Sequence, residues 1–115
     1  MVKRQVVGAH YGLKDWIAQR ATAVFMALFT VVFAICVLTL PSFTYEAWSG
    51  LFKGGLFRFL SFLFFLSLFY HAWIGIRDIW MDYIKPDGLR LVLHLVTLFL
   101  LVGYAGWAAQ ILWRL

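Results

Sequence analysis

The chain is poor in charge, cysteine and proline, and each shortage limits the kind of protein it can be. Only 13% of its 115 residues are charged and 64% are hydrophobic, whereas soluble domains carry about 25% charged residues. This composition excludes an ordinary soluble domain and indicates a membrane protein. The single cysteine, Cys36, excludes an intrachain disulfide. The two prolines, Pro41 and Pro86, fall where helices are expected to end.

Charge is absent altogether from three long segments, residues 21–40, 59–76 and 91–113. Each is about 18 residues or longer, which is enough to cross roughly 30 Å of hydrocarbon. The sequence therefore predicts an all-α membrane protein with three transmembrane helices, over about 16–40, 56–80 and 89–113. A carrier or pump would normally keep an acidic or basic side chain inside such segments, so transport is not the expected role.

The chain is too short for two domains, and we expect one membrane-anchor domain over residues 1–115. Asp15 is a candidate N-cap for a first helix that starts near Trp16. Between the first two spans, Tyr45, Trp48 and Phe52 recur at helical spacing. This spacing is compatible with a short helix on the membrane surface or with an ordered loop.

The net charge of +5 is explained by topology rather than by nucleic-acid binding. Seven basic residues lie in the N-terminal tail and second loop, and three in the first loop and C-terminus. Because cytoplasmic loops are enriched in Lys and Arg, the N-terminus is predicted in the cytoplasm and the C-terminus outside. The two groups are Lys3, Arg4, Lys14, Arg20, Arg77, Lys85 and Arg90, against Lys53, Arg58 and Arg114.

His71 is the most informative polar residue, because it interrupts the charge-free second segment. An ionisable group in lipid is costly and usually persists because something binds it. It lies six residues before Arg77, about 9 Å from the end of its span, and Gly75 leaves space on the same helix face. Two hypotheses remain open: His71 ligates a metal or haem iron, or it is satisfied by a hydrogen bond to a neighbour.

A second intramembrane histidine, His94, lies at a similar depth on the third span. A bis-histidine site within one chain is conceivable, but an interfacial histidine that reaches headgroups or water is the favoured interpretation. His10 belongs to the tail and is expected to be solvated.

Three further residues fall near the predicted cytoplasmic face. Arg20 begins the first span and can bind lipid phosphate or pair with carboxylates, such as haem propionates. Asp82 and Tyr83 follow the second span. A phenol can donate to a quinone carbonyl and a carboxylate can handle protons there, but an interface tyrosine beside a solvated aspartate explains the same pattern.

Four segments resemble the smaller hydrophobic membrane anchor subunit of bacterial succinate dehydrogenase, respiratory complex II. They are DWIAQRATA at 15–23, TYEAWSGLF at 44–52, HAWIGIRDIWMDYIKP at 71–86 and LRLVLHL at 89–95. With the three-helix layout they cover nearly the whole chain after the first dozen residues. The HAWIG run followed by DY and KP is the specific part, whereas RAT alone is weak.

The resemblance implies roles for individual residues. His71 matches the axial ligand of haem b, whose second histidine comes from a partner anchor subunit, which argues against His94. Tyr83 matches the tyrosine that hydrogen-bonds ubiquinone, with Asp82 beside it, and Arg20 matches an arginine near the haem propionates. Trp80 is a weaker candidate for the quinone entrance. Arg77 departs from the family pattern and is expected to alter charge near that entrance.

The function implied by the resemblance is electron transfer from succinate to quinone in the tricarboxylic acid cycle and respiratory chain. The expected partners are a flavoprotein subunit, an iron–sulfur subunit, a second membrane anchor subunit of the cytochrome b type, and the lipid of the bacterial inner membrane. The chain would not be catalytic alone. The alternatives are a cofactor-free structural membrane subunit and a fumarate reductase anchor.

Overall fold

The computed structural model describes residues 11–115, so the tail residues Lys3, Arg4 and His10 lie outside the described part of the chain. Its four helices are α1 (Tyr11–Leu38), α2 (Tyr45–Gly50), α3 (Leu56–Tyr83) and α4 (Asp87–Arg114). The three long helices are apolar and long enough to cross a membrane. The predicted all-α fold with three transmembrane helices is therefore confirmed, while the orientation of the termini stays a prediction.

The first helix begins earlier than the sequence predicted, and Asp15 is not its N-cap. Helix α1 already starts at Tyr11, so Asp15 lies inside the helix. Its carboxylate instead accepts a hydrogen bond from the Arg77 guanidinium on α3. The local capping rule assigned Asp15 to the start of the helix, but its carboxylate is used in a contact with a distant segment, α3.

Helix α3 is the middle element and packs against α1 on one side and α4 on the other. The connections make both neighbours antiparallel to α3. We call the end of the bundle where α1 and α4 begin the Asp15 end, and the opposite end the Phe52 end. The two outer helices have few contacts with each other, so α3 holds the unit together.

Aromatic rings join α1, α2 and α3 at the Phe52 end. Phe29 of α1 is buried, and its ring centroid lies 5.0 Å from that of Phe64 and 5.7 Å from that of Phe57. Helix α2 is capped by Thr44, whose hydroxyl accepts from the Ala47 amide at 3.2 Å. Just after α2, Phe52 is only 3% exposed and packs on Phe57. Of the two interpretations of this segment, the short helix is therefore present.

Most large apolar side chains point away from the chain's own interior. Only five hydrophobic residues of the described part are buried. An apolar cavity of about 600 Å³ opens between α1 and α4 over the phenylalanines of α3. A unit of this kind is stable only where lipid tails or other apolar helices cover it, as expected of a multi-pass membrane protein.

An ion pair ties α1 to α3 at the Asp15 end. Arg77 pairs with Asp15, and its guanidinium also lies 3.8 Å from the Asp78 carboxylate. The paired side chains are only 29% and 27% exposed. Arg77, the departure from the family pattern, thus has its charge largely offset by α1.

We expect Arg77→Gln and Asp15→Asn each to destabilise the helix bundle by about 1–3 kcal/mol, because each leaves a half-buried partner unpaired. The measurement is the fraction of purified chain that stays monodisperse in detergent after heating. Since both changes break the same contact, the double variant should lose less than the two single losses combined.

The matched control is Arg90→Gln, which breaks the Arg90–Asp87 pair within α4. There Asp87 is 95% exposed, so the effect should stay below about 1 kcal/mol. Equal losses for the Arg77 and Arg90 variants, or strict additivity in the cycle, would contradict the role given to the Asp15–Arg77 pair.

Candidate functional site

His71 lies on α3 in the half of the bundle nearer the Asp15 end, where it is half-buried. Its Nδ1 is 2.9 Å from the hydroxyl oxygen of Thr22 on α1. Its Nε2 makes no hydrogen bond with any residue in 11–115. The two sequence hypotheses therefore describe different nitrogens of one ring: one is hydrogen-bonded to a neighbour, and the other is available to a ligand.

The space beside Gly75 is bordered by α1 rather than fully open, which corrects the sequence interpretation. A side chain built at this position would meet the Gln19 amide nitrogen of α1 at 3.8 Å. This is an ordinary van der Waals distance, so a small side chain would fit there and glycine is not required for α1 to pack on α3.

His94 faces a different helix from His71. Its ring meets the edge of Trp73 at a centroid distance of 6.0 Å, on the side of α3 that packs on α4. The structure thus does not bring the two histidines together. The His94 Nε2 is buried without a hydrogen-bond partner in the described part of the chain, which places it within the packing between α3 and α4.

Arg20 lies near the level of His71, about 3 Å closer to the Asp15 end, because Thr22 follows it by two residues on α1. The guanidinium carbon lies 5.2 Å from the centroid of the Trp16 ring. It makes no ion pair with residues 11–115, although it lines a cavity of about 350 Å³ together with Asp78. Arg20 is therefore an exposed cation that can still accept an anionic partner.

Asp82 and Tyr83 occupy the last turn of α3, at the Asp15 end. Both are exposed, and Tyr83 reaches 76% exposure. Neither side chain makes a hydrogen bond within residues 11–115. Tyr83 lies twelve residues from His71, or about 18 Å along the helix. Within this chain the two residues are open groups on a surface rather than walls of a closed pocket.

Trp80 is used for packing between helices. Its indole N–H donates to the Thr97 hydroxyl on α4 at 2.9 Å, and Thr97 is only 9% exposed. A buried hydroxyl needs such a partner, because lipid offers none. This hydrogen bond between α3 and α4 explains why a tryptophan occupies position 80 without invoking a quinone contact.

Two partners of the predicted site were missed from the sequence, Thr22 and Thr97. Each is a hydroxyl on one helix that meets a nitrogen on another, 49 and 17 positions away in the chain. Thr22 lies within the short RAT run, which carries little information by itself. Only the register between the antiparallel helices identifies these contacts.

Described from the residues upward, the molecule is a multi-pass membrane protein. Most of the charged side chains among residues 11–115 lie at the Asp15 end, and His71, with an unbonded Nε2, lies within the bundle. Residues 2–105 match the family described as succinate dehydrogenase/fumarate reductase transmembrane subunit. The chain is also 34% identical, over 102 residues, to the succinate dehydrogenase hydrophobic membrane anchor subunit of Coxiella burnetii. That alignment covers 89% of each protein.

The chain therefore belongs to the succinate dehydrogenase/fumarate reductase transmembrane subunit family, and the resemblance to its hydrophobic membrane anchor subunits is confirmed. Membership implies that it works in a membrane as one subunit of a larger complex. Among residues 11–115, His, Cys, Asp and Glu form no group of three that could hold a metal ion. A haem iron does not require such a group, because a protein can hold it through a single histidine.

The role of Trp80 can be separated from a quinone contact by two variants of the same hydrogen bond. Because either change leaves the other group unpaired, we expect Trp80→Phe and Thr97→Val to weaken the packing of α3 on α4 to a similar degree, about 1–3 kcal/mol. Both should leave the KM for quinone unchanged, measured in the purified complex. A raised KM in Trp80→Phe alone would instead place the indole at the quinone.

Proposed function

We propose that this chain is the smaller membrane anchor of a succinate:ubiquinone oxidoreductase in the inner membrane of a bacterium. The observation that carries the proposal is the state of His71: half-buried on the middle helix, with Nδ1 bound to Thr22 and Nε2 unbonded. Membership of this family of membrane anchor subunits supports a cofactor as the ligand of this nitrogen. In this proposal Nε2 would hold the iron of haem b, and a second membrane anchor subunit would supply another ligand.

The surroundings of His71 fit a haem in two respects. The unbonded nitrogen gives the iron a neutral imidazole, the usual histidine ligand. Arg20, unpaired within residues 11–115 and a short step toward the Asp15 end, can bind a propionate carboxylate. When bound, the haem supplies a one-electron carrier, and this chain contributes the ligand and a countercharge for the propionates.

In this proposal quinone is reduced at the Asp15 end, beside Tyr83 and Asp82. Succinate loses two electrons and two protons at a flavoprotein subunit and becomes fumarate. An iron–sulfur subunit carries the electrons to ubiquinone, which becomes ubiquinol on taking up two electrons and two protons. The exposed Tyr83 hydroxyl donates a hydrogen bond to a quinone carbonyl, and the carboxylate of the preceding residue, Asp82, handles protons there.

Partner subunits explain why so much of this chain is left uncovered. Ala27, Thr30 and Ala34 form a stripe of small residues on α1 that is exposed. On α4, Gly103 and Gly106 have nothing close to them. Small residues let helices approach closely in lipid, so these faces suit the helices of a second anchor subunit. Tyr83 and Asp82 are also exposed, and in this proposal they form one side of a quinone pocket that other subunits complete.

We expect His71→Ala to remove the b-type haem signal, because the iron loses one of its two axial ligands. The measurement is the dithionite-reduced minus oxidised visible spectrum of the purified complex, scaled to its flavin content. The matched control is His94→Phe, which removes the other intramembrane histidine and keeps a ring against Trp73. A wild-type complex without a b-type band would favour the cofactor-free structural subunit and reject the haem assignment.

For the quinone site, we expect Tyr83→Phe to slow quinone reduction by roughly 10- to 100-fold, because the hydroxyl that stabilises charge on the carbonyl oxygen is gone. Succinate oxidation with an artificial soluble dye should persist, since that reaction does not use the quinone site. Tyr45→Phe, at the Phe52 end, is the matched control and should behave as wild type. Unchanged quinone kinetics in Tyr83→Phe would remove this residue from the site.

The same preparation separates succinate dehydrogenase from a fumarate reductase anchor. The proposed function predicts faster succinate oxidation with ubiquinone than fumarate reduction with a low-potential quinol. The opposite ratio would assign the chain to the fumarate reductase side of the family.

A further inference from the structure

Thr22 has one hydroxyl hydrogen and three neighbours at hydrogen-bond distance. Its Oγ1 lies 2.6 Å from the carbonyl oxygen of Ala18, 3.2 Å from that of Gln19 and 2.9 Å from Nδ1 of His71. Carbonyl oxygens can only accept. An oxygen–oxygen distance of 2.6 Å is that of a made O–H···O bond, so the hydroxyl hydrogen is directed at Ala18.

The hydrogen between Thr22 and His71 must then come from the imidazole. Nδ1 donates to Oγ1, and in a neutral ring the lone pair is left on Nε2. The opposite arrangement, with the hydroxyl donating to Nδ1, would leave two oxygens 2.6 Å apart without a hydrogen between them. It would also put the ring hydrogen on Nε2, where it would block a ligand.

We propose that Thr22 is a positioning residue that fixes the tautomer and the orientation of His71, so that Nε2 presents its lone pair to the haem iron. The proposal rests on the proposed function and assigns a role to a residue that does not itself touch the cofactor. Hydrogen-bonded partners of metal-bound histidines commonly fix the ring in this way and make the ligand more basic.

A hydrogen bond to the backbone of α1 fixes the orientation of the Thr22 hydroxyl. In a helix, a threonine Oγ1 can bond the carbonyl four residues earlier, which favours one side-chain rotamer. The bond to Ala18 therefore holds the Oγ1 in place before His71 meets it. The orientation of His71 thus depends on the packing of α1 against α3.

The test uses the complete complex, with all partner subunits, carrying Thr22→Val or Thr22→Ser. Valine keeps the shape and removes the hydroxyl, whereas serine keeps the hydroxyl. In Thr22→Val we expect haem transfer to excess apomyoglobin to be roughly 10- to 100-fold faster. We also expect the haem midpoint potential to rise, because a less basic imidazole stabilises ferric iron less. Thr22→Ser should restore both values.

The matched control is Thr39→Val at the end of α1. The Thr39 hydroxyl lies 2.7 Å from the Ile35 carbonyl oxygen and 3.3 Å from that of Cys36. It thus has the same backbone contacts as Thr22, but within residues 11–115 it meets no side chain on another helix. This variant should keep the wild-type haem transfer rate and potential, which separates the bond to His71 from a general effect of removing a helix hydroxyl.

Wild-type haem retention and potential in Thr22→Val would overturn the positioning role. So would failure of both Thr22 variants to assemble while Thr39→Val assembles, because Thr22 would then serve folding alone. These outcomes are distinct from failure of the proposed function. If the wild-type complex has a b-type band that His71→Ala abolishes, the haem assignment stands whatever the Thr22 variants do.

Discussion

A polar side chain that lies between helices in a membrane is stabilised by a partner on the neighbouring helix, because lipid offers no hydrogen bonds. Three contacts on α3 are of this kind. His71 bonds Thr22 and Arg77 pairs with Asp15, both toward α1, whereas Trp80 bonds Thr97 toward α4. These contacts fix how far the helices are shifted along one another, and the position of each remaining functional side chain follows from them.

The two ends of the bundle are held together by different interactions. At the Phe52 end, α1 and α3 are held together mainly by stacked aromatic rings, which Phe52 covers. At the Asp15 end, the helices are joined by one ion pair and by hydrogen bonds, and this is where Arg20 and Tyr83 remain exposed. The exposed groups with proposed roles, Arg20 and Tyr83, therefore lie at the end where polar contacts join the helices.

The sequence was sufficient for the number and type of the helices, because membrane-length apolar segments admit few other structures. It also made His71 a candidate ligand, since a histidine in such a segment is unusual; that role stays a prediction. It did not identify Thr22, and it assigned Asp15 to a helix cap and Gly75 to open space. All three depend on which residues of α1 and α3 face each other. That pairing is a long-range property which local propensities do not contain.

The central claim is that one nitrogen of His71 serves the fold and the other serves a cofactor. The most direct measurement is a cryo-electron microscopy map of the purified complex, resolved well enough to place the His71 ring. The account predicts Nδ1 within hydrogen-bond distance of Thr22 and Nε2 within bonding distance of a haem iron, with a histidine of the second anchor subunit on the opposite face. A lipid chain or a partner side chain against Nε2, with no haem density between the subunits, would contradict it.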